Sequence, residues 1–328
     1  MTRSNALGTT AETYRAELVV YCYRFFGCHA EAEDAVQETL IRAWRSREGF
    51  EGRSSLRRWL YAIATNVCLD MSRSRQRRSL PVDLSDPGVV PTDPGSLATA
   101  AEMTWVGPIA TTNLADDPAD AAVRRETVRL AFIAALQYLP PRQRVVLILR
   151  DVLAWRASEC AELLEVSVAS VNSALARARA TLRTRVPAEP ESGTPFDEDL
   201  LRRYVSAFEA FDVDALVGLL AEDASFTMPP FTLWLRGRRS IEQWWSGPGQ
   251  VCRNSRTIRT SVNGQPAVAV YHSTGGELWA PFAVHVLDVR DGRITGLTHF
   301  MGSGVFAELG LPENVPENVP ESFPVPDR

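Results

Sequence analysis

Hydrophobic positions in the first 78 residues recur every three or four residues, which is the period of an α-helix. The stretch from Tyr14 to Phe25 follows this spacing, and so do the segments AEAEDAVQETLIRAWRSR and LRRWLYAIATNVCLDMSRSRQRR. In the first segment the acids come early and the arginines late, an order that suits the helix dipole. The second segment covers residues 56–78 and is expected to bury the side that carries Trp59, Leu60 and Ile63. The pattern therefore predicts a helical domain at the start of the chain.

Prolines and glycines interrupt this pattern between residues 79 and 119, where PVDLSDPGVVPTDPGS holds four prolines and two glycines. The segment is predicted to be a linker, and its unusual length suggests that it has a task of its own. Helical periodicity returns over residues 120–186. There SECAELLEV and SVASVNSALARARATLRTR are separated by a tight break near Val166 and Ser167, and Ser158 is placed to cap the first helix. Two helices joined in this way predict a helix-turn-helix.

The pattern changes again after residue 196. A helix is predicted over about 197–220, and segments such as PAVAVYHS, ELWAPFAVHVLDVRDG and RITGLTHFM predict strands. The DG pair at 291–292 indicates a hairpin turn. Residues 187–196 are a second predicted linker, and the repeat PENVPENVPES marks residues 306–328 as a tail that is expected to be disordered.

Charge is distributed unevenly along a chain whose formal net charge is −5. The 35 basic residues are all arginines, and they concentrate at 53–78 and again at 177–185. The arginine side chain is planar and permanently charged, which suits it to phosphate. Local sign matters more than the total for a polyanionic partner, so both clusters are candidate nucleic-acid surfaces.

Cysteine usage and apolar runs exclude other classes of protein. The five cysteines include no CxxC pair, and no histidine spacing completes a zinc site, so neither a metal nor a cofactor is expected. No signal peptide is expected at the polar N-terminus, and no apolar stretch approaches the ~18 residues of a membrane span. A cytoplasmic protein with reduced thiols is the expectation.

Three surfaces carry candidate chemistry, although each pattern alone is also compatible with a solvated helix. A stripe of the segment AEDAVQETLIRAWR combines polar residues with one apolar residue, which suits a partner protein. It consists of Asp34, Gln37, Glu38, Ile41 and Arg45. The basic segment offers groups that hold phosphates and unstacked bases. They are Arg57, Arg58, Trp59, Arg73, Arg75, Arg77 and Arg78. The second helix of the helix-turn-helix has short polar residues for base edges and arginines for phosphates. They are Ser167, Ser170, Asn172, Ser173, Arg177 and Arg179.

Together these segments resemble an extracytoplasmic-function (ECF) sigma factor, the promoter-recognition subunit of bacterial RNA polymerase. AEDAVQETLIRAWR resembles the helix of sigma region 2 that docks on the polymerase clamp. SSLRRWLYAIATNVCLDMSRSRQRR resembles the part of region 2 that melts and reads the −10 element, with Asn66 at the position that contacts a flipped base. LPPRQRVVLILRDVLAWRASECAELLEVSVASVNSALARARATL resembles region 4, the reader of the −35 element. The resemblance spans roughly residues 12–78 and 122–186.

Three positions depart from the family pattern. The family often has Gly where Glu165 stands, Lys at Asn172 and Arg at Ala174. Region 4 is therefore less basic at its tip, and the −35 sequence that it reads does not follow from the resemblance. The linker of such factors threads toward the RNA exit channel, and here its acids would imitate nucleic-acid charge. They are Asp83, Asp86, Asp93, Glu102, Asp116 and Asp117.

Residues 197–302 resemble a SnoaL-like domain of the NTF2 superfamily, a curved sheet wrapped by helices into a cone. FEAFDVDALVGLLAEDASFTMPP, GRRSIEQWW and DGRITGLTHF carry this resemblance. It implies a domain that modulates the sigma domains in place of a separate anti-sigma protein, through intramolecular contact or through a small-molecule ligand. The candidate pocket residues are Tyr204, Asp223, Trp234, His285 and His299.

The expected fold is multidomain: two all-α sigma domains, a region 2 helical bundle and a region 4 helix-turn-helix, followed by an α+β cone. The expected boundaries are 1–78 for region 2, 79–119 for the acidic linker, 120–186 for region 4, 187–196 for the second linker, 197–305 for the SnoaL-like domain and 306–328 for the tail. The expected function is promoter recognition and −10 melting with core polymerase and promoter DNA as partners, without catalysis. The alternatives are a DNA-binding fusion to a ketosteroid-isomerase-like enzyme, and a dimeric repressor.

Overall fold

The computed structural model describes residues 11–50, 55–74, 77–100, 105–113, 127–184, 198–275 and 278–316. Its contacts divide the chain into two units. The first unit joins residues 1–78 to residues 113–189, and the second joins residues 79–112 to residues 190–328. The segment 79–112, predicted as a free linker, is thus part of the second unit. None of the described helices combines the length and the apolar character that a membrane crossing requires.

In the N-terminal part of the first unit, the structure describes three long helices that form a bundle. They are α1 (Arg15–Phe26), α2 (His29–Arg45) and α3 (Leu56–Met71). Helix α1 ends at Gly27, whose φ of 69° lies in the left-handed region that glycine enters without steric cost. Helix α3 begins after Ser55, whose side chain accepts a hydrogen bond from the Arg58 N–H at 3.3 Å. A buried hydrogen bond of 2.7 Å joins the hydroxyl groups of Tyr21 and Thr65, and it fixes the position of α1 against α3.

The buried side of α3 differs from the expected one. Leu60 is buried, but Trp59 and Ile63 are only half-buried. The remaining buried residues of α3 are Tyr61, Ala64, Thr65, Val67 and Cys68. Burial of small and polar residues brings α3 close to α1, and hydrogen bonds satisfy the hydroxyl groups of Tyr61 and Thr65. The large apolar residues alone therefore predicted the wrong buried face for α3, because the true core face also carries small and polar residues.

Four helices lie in the described residues of the C-terminal part of the first unit. They are α4 (Leu130–Leu136), α5 (Pro141–Leu147), α6 (Ala157–Leu164) and α7 (Val168–Arg183), with a π-helical turn at Ile148–Val152. Helix α6 begins two residues earlier than expected: its N-cap is Arg156, whose N–H donates to Glu159 at 2.7 Å, and Ser158 lies inside the helix. Ser167 caps α7 and accepts from the Ser170 N–H at 3.1 Å. Between the two helices Glu165 has a φ of 54°, which explains why glycine suits this position.

The second unit is a β-sheet with helices packed against its strands. The helices are α8 (Glu198–Ala210), α9 (Val213–Gly218), α10 (Arg238–Ser246) and α11 (Gly304–Glu308). The strands are β1 (Leu220–Thr227), β2 (Trp234–Arg236), β3 (Ser255–Val262), β4 (Gln265–Ser273), β5 (Leu278–Arg290), β6 (Arg293–Met301) and β7 (Val315–Pro316). The order is β2-β1-β6-β5-β4-β3, and β7 pairs with β5. Only the β1–β6 pairing of this path is parallel. The multidomain α then α+β fold is confirmed.

Three local predictions in this unit have clear outcomes. The hairpin at Asp291 and Gly292 is confirmed, and both residues have positive φ. The single helix expected over 197–220 is interrupted after Ala210, because Phe211 takes a φ of 52° and Asp212 caps a new helix. The tail does not begin at 306: Phe306 is buried against Tyr271, and Val315 and Pro316 pair with β5. The rest of the repeat, from residue 317 onward, lies outside the described residues.

Candidate polymerase and nucleic-acid interfaces

The α2 stripe lies on the surface of the bundle. Asp34, Gln37, Ile41 and Arg45 are exposed, while Glu38 is half-buried and pairs with Arg42 at 2.7 Å. The opposite side of α2 contributes Ala32, Ala35, Val36, Thr39 and Ala43 to the core. The stripe is therefore available to a partner protein.

Trp44 extends this surface, although it follows Leu40 by four residues and so has the helical spacing of the apolar face. Its exposed fraction is 46%, that of Ile41 is 38%, and the Arg47 guanidinium lies 4.2 Å from the centre of its ring. Exposed large apolar side chains side by side are uncommon unless a partner covers them. Trp44 is thus an interface candidate that the helical period alone could not reveal.

The predicted −10 residues lie on α3 and just after it. Asn66 is exposed, and its side chain is available to a base. Arg57 pairs with Glu17, and the Tyr61 hydroxyl also donates to Glu17 at 2.6 Å. Burial, with the neighbouring Glu17 charge, raises the pKa of Tyr61 well above its ordinary value, so this tyrosine stays protonated.

The remaining −10 candidates differ in how far neighbouring side chains cover them and in which groups they contact. Arg78 pairs with Glu31 at 2.9 Å and is largely covered, whereas Arg73 is highly exposed beside Asp70. Trp59 packs on Phe50 with ring centres 4.9 Å apart. Arg58 and Arg77 lie against aromatic rings of the C-terminal part of the unit. The predicted Arg75 lies outside the described residues.

All six predicted residues of α7 and its cap are exposed. The inward side of α7 is formed by Val171, Leu175 and Ala178, so the helix packs along one edge and presents the other to solvent. Arg177 donates to the Ser173 hydroxyl at 2.7 Å. Arg179 makes two hydrogen bonds to Asp151, at 2.9 and 2.7 Å, and this pairing raises the pKa of Arg179. The geometry is that of a solvent-facing helix at the end of a helix-turn-helix.

The predicted pocket of the C-terminal domain is only partly assembled. Tyr204, His285 and His299 meet in the core: the His285 and His299 rings stack with centres 3.4 Å apart, and the Tyr204 hydroxyl lies 3.0 Å from His285 Nδ1. Burial lowers the pKa of His299 to about 3 and that of His285 well below its ordinary value. Asp223 is exposed on β1 and takes no part in this cluster.

Trp234, the fifth predicted pocket residue, lies at the contact with the segment 79–112. Its indole N–H donates to the Ser85 carbonyl at 2.9 Å, and its own carbonyl accepts from the Gly88 N–H at 2.8 Å. A Cβ atom at Gly88 would come within 2.5 Å of the end of the Leu233 side chain, which would have to move to make room for it. A pocket of about 310 Å³ lies here, between residues 85–98 and 232–234.

A second contact fixes the other end of this segment. Asn263 donates its backbone N–H to the Ile109 carbonyl at 2.9 Å, and its side-chain oxygen accepts from the Ile109 N–H at 3.0 Å. The Thr111 and Ser261 hydroxyls lie 2.9 Å apart. Between the two ends, Ala98 and Thr232 share a backbone hydrogen bond of 3.0 Å. The described parts of the segment are therefore bound to this domain near both ends and at the middle.

The predicted acids of this segment have mixed surroundings. Asp83 accepts from the Leu80 N–H at 2.9 Å, and Asp93 accepts from the Gly95 N–H at 2.9 Å, so both cap short turns. Asp86 is exposed. Glu102, Asp116 and Asp117 lie outside the described residues.

Three family models match the chain in this order: Sigma-70 region 2 over residues 10–78, Sigma-70, region 4 over 129–182, and the SnoaL-like domain over 201–297. The ECF RNA polymerase sigma factor SigG of Mycobacterium tuberculosis is 44% identical over 313 residues, which cover 93% of this chain and 83% of SigG. The sigma factor SigJ of the same organism is 28% identical and covers 87% of this chain and 88% of SigJ. The crystal structure of SigJ aligns with a TM-score of 0.62 at 25% identity, over 93% of this chain and 99% of that chain.

Proposed function

We infer the task of each surface from one premise: the chain belongs to the ECF RNA polymerase sigma factor family. Its partners are accordingly core RNA polymerase and promoter DNA. The observation that carries this conclusion is the 44% identity to a sigma factor across 93% of the chain, with region 2, region 4 and the SnoaL-like domain in the same order.

Helix α2 is the proposed contact with core polymerase. Its surface stripe supports this assignment: Asp34, Gln37, Ile41 and Arg45 are exposed and Glu38 is half-buried, and Trp44 extends the apolar part of the stripe. An interface with an apolar centre and a charged rim is typical of specific protein–protein contact. Replacement of Ile41 by Asp should therefore reduce co-elution with core polymerase, while the fold of the bundle stays unchanged because Ile41 is not part of the core.

Helix α3 is the proposed −10 surface. Asn66 offers an amide to an unstacked base, and the arginines at 57, 58, 73, 75, 77 and 78 offer charge to phosphates. Strand separation needs no covalent chemistry on this chain, since binding energy for the open strand offsets the loss of base pairing and stacking. Because arginines displace counterions from DNA, binding should weaken steeply with salt.

Helix α7 is the proposed −35 surface. Short polar side chains at Ser170, Asn172 and Ser173 let the helix approach base edges, and Arg177 and Arg179 are placed for phosphates. Arg177→Ala should weaken promoter binding on every sequence, whereas Asn172→Ala should change the sequence preference. Run-off transcription at physiological salt measures both, with Arg202→Ala on α8 as an exposed-arginine control. Unchanged transcription by Arg177→Ala would reject the proposed docking of α7.

The SnoaL-like domain is proposed to regulate the sigma domains through the segment 79–112. The hydrogen bonds at Trp234 and Asn263 support this, because they hold a segment that connects region 2 to region 4. A small-molecule regulator would bind in the pocket beside Trp234, where it touches both the segment and the sheet. Deletion of the chain after about Pro187 should change activity in reconstituted transcription, and identical activity of both proteins would reject regulation.

An isomerase-like activity of the SnoaL-like domain is the less favoured alternative. A base in such an enzyme lies in an apolar pocket, but Asp223 is exposed and the two core histidines are packed against Phe208 and Phe226. We propose that the domain binds and regulates without catalysis. Turnover of a hydrophobic carbonyl compound that Asp223→Asn abolishes would overturn this. A dimeric repressor, the other alternative, would shift operator DNA without polymerase.

A further inference from the structure

The start of α7, residues 168–176, carries no basic side chain. Arginine and lysine make the commonest specific contact with guanine, through its O6 and N7 atoms in the major groove. In a helix-turn-helix, the N-terminal residues of the second helix are the ones that contact base edges. Base reading at this end of α7 therefore depends on neutral side chains.

The three serines at this end of α7 are bonded within the chain. The Ser167 and Ser170 hydroxyls lie 2.9 Å apart, and Ser167 also accepts from the Ser170 N–H. The Ser173 hydroxyl accepts from the Arg177 guanidinium at 2.7 Å. These hydroxyl groups cap the helix or hold an arginine, so they contribute less to base reading than their exposure suggests.

Two other side chains at this end of α7 face solvent and are larger than a methyl group. Asn172 is exposed, and among the residues that the structure describes its side chain makes no intramolecular hydrogen bond. Val168 is 44% exposed, whereas the next large apolar residues of the helix, Val171 and Leu175, are buried. An amide and an isopropyl group are thus the side chains that remain for base reading.

The spacing of these two residues fits neighbouring base pairs. Val168 and Asn172 are four residues apart, so they lie on one side of α7. The helix rises about 6 Å between them, which is less than two base-pair steps of about 3.4 Å each. An asparagine amide matches adenine, because its oxygen accepts from N6 and its nitrogen donates to N7, and an apolar side chain suits the C5 methyl group of thymine.

We infer that α7 reads an A·T-containing part of the −35 element: Asn172 contacts an adenine, and Val168 packs on the methyl group of a thymine within two base pairs of it. Val168 is then a specificity-determining residue beside the polar residues already assigned to α7. The inference rests on the proposed docking of α7 in the major groove at −35, and it names the bases that α7 reads there.

The first test selects the promoter elements from a random pool. Core polymerase and the full-length chain would be given a duplex library with a long random segment, and the fragments that yield transcripts would be sequenced. The selected −35 elements should share an A·T pair. Asn172→Ala and Val168→Ala should each relax the preference at one of two positions that lie within two base pairs. Val251→Ala, a change of an exposed valine in the second unit, should leave the selected sequences unchanged.

Base analogues then test the two contacts atom by atom. Deoxyuridine lacks only the methyl group of thymine, and 7-deazaadenine lacks only the N7 acceptor of adenine. Deoxyuridine at the selected thymine should reduce run-off transcription by the wild-type chain about two- to fivefold, the effect of about one buried methyl group, and should have no effect with Val168→Ala. 7-Deazaadenine should reduce transcription by the wild-type chain about two- to tenfold and have no effect with Asn172→Ala. Each analogue should keep its effect with the other variant.

Two results would overturn the inference. One is a selected −35 element without an A·T pair. The other is an analogue effect that is equal in the wild-type chain and in the matching variant. Failure of the proposed docking has a different signature, because Arg177→Ala would then leave transcription from the selected promoters unchanged. If the wild-type chain with core polymerase selected no promoter at all, the inference and the proposed function would both be rejected.

Discussion

Asn263 offers the clearest perturbation of the contact between the segment 79–112 and the SnoaL-like sheet. It occupies the first position of the β3–β4 turn with a φ of 55°, followed by Gly264, and it is fully buried. Its side-chain oxygen accepts from the Ile109 N–H at 3.0 Å. Asn263→Ala removes that acceptor and leaves a buried N–H without its partner, while the turn itself remains.

The magnitude follows from the lost hydrogen bond. A buried backbone N–H that loses its partner costs about 1–3 kcal/mol. Since about 1.4 kcal/mol is a factor of ten, residues around Ile109 should open roughly 5- to 150-fold more often. Alanine also tolerates positive φ less well than asparagine, and this strain must be separated from the hydrogen-bond effect.

Asn254→Ala separates the two effects. Asn254 has a φ of 58°, is exposed, and lies at the start of β3 away from Ile109, so it carries the same backbone strain without the contact. Hydrogen exchange of residues 105–112 in the full-length protein is the assay. Faster exchange in Asn263→Ala than in Asn254→Ala is the expected result. Equal exchange in the two variants would refute the idea that this bond holds the segment to the sheet.

Three further predictions concern stability and DNA binding. Glu165→Gly should stabilise the protein by up to about 1 kcal/mol in urea unfolding, because it relieves positive φ, whereas Glu162→Gly within α6 should destabilise it by a similar amount. Asp151→Ala should release Arg179 and so tighten binding to a −35 duplex. The slope of the logarithm of the binding constant against the logarithm of the salt concentration should steepen by up to about one unit, and an unchanged slope would contradict this. Burial keeps His299 neutral with a pKa of about 3, whereas the same histidine in the unfolded chain becomes protonated below pH ~6.5. The free energy of unfolding should therefore fall as the pH drops from about 6.5 toward 3, by up to about 1.4 kcal/mol per pH unit. His299→Phe should flatten this loss in acid unfolding relative to His29→Gln, and equal slopes would contradict the assignment.

Much of the local architecture could be predicted from the sequence because it depends on nearby residues. The period of α7 places Val171 and Leu175 inside and Arg177 outside, and the DG pair forms its hairpin. These features follow from side-chain spacing and backbone preference, which act over a few residues.

The features that the sequence did not predict depend on tertiary contacts. Trp44 has the spacing of a core residue but is exposed, since the bundle ends beside it. Asp223 alternates out of the core on β1, so it misses the histidine cluster. The segment 79–112 has no periodicity of its own, and its position depends on hydrogen bonds to residues such as Trp234 and Asn263, which are more than 100 residues away along the chain. Local pattern carries no information about such partners.

Promoter opening in the presence of core polymerase tests the central claim most directly. Permanganate reactivity of unpaired thymines would be mapped on a linear promoter fragment with core polymerase alone, with the full-length chain, and with its Asn66→Ala variant. The account predicts reactive thymines at −10 only when the chain and core polymerase are both present, and fewer of them with Asn66→Ala. Equal reactivity with core polymerase alone, or no reactivity when both are present, would contradict it.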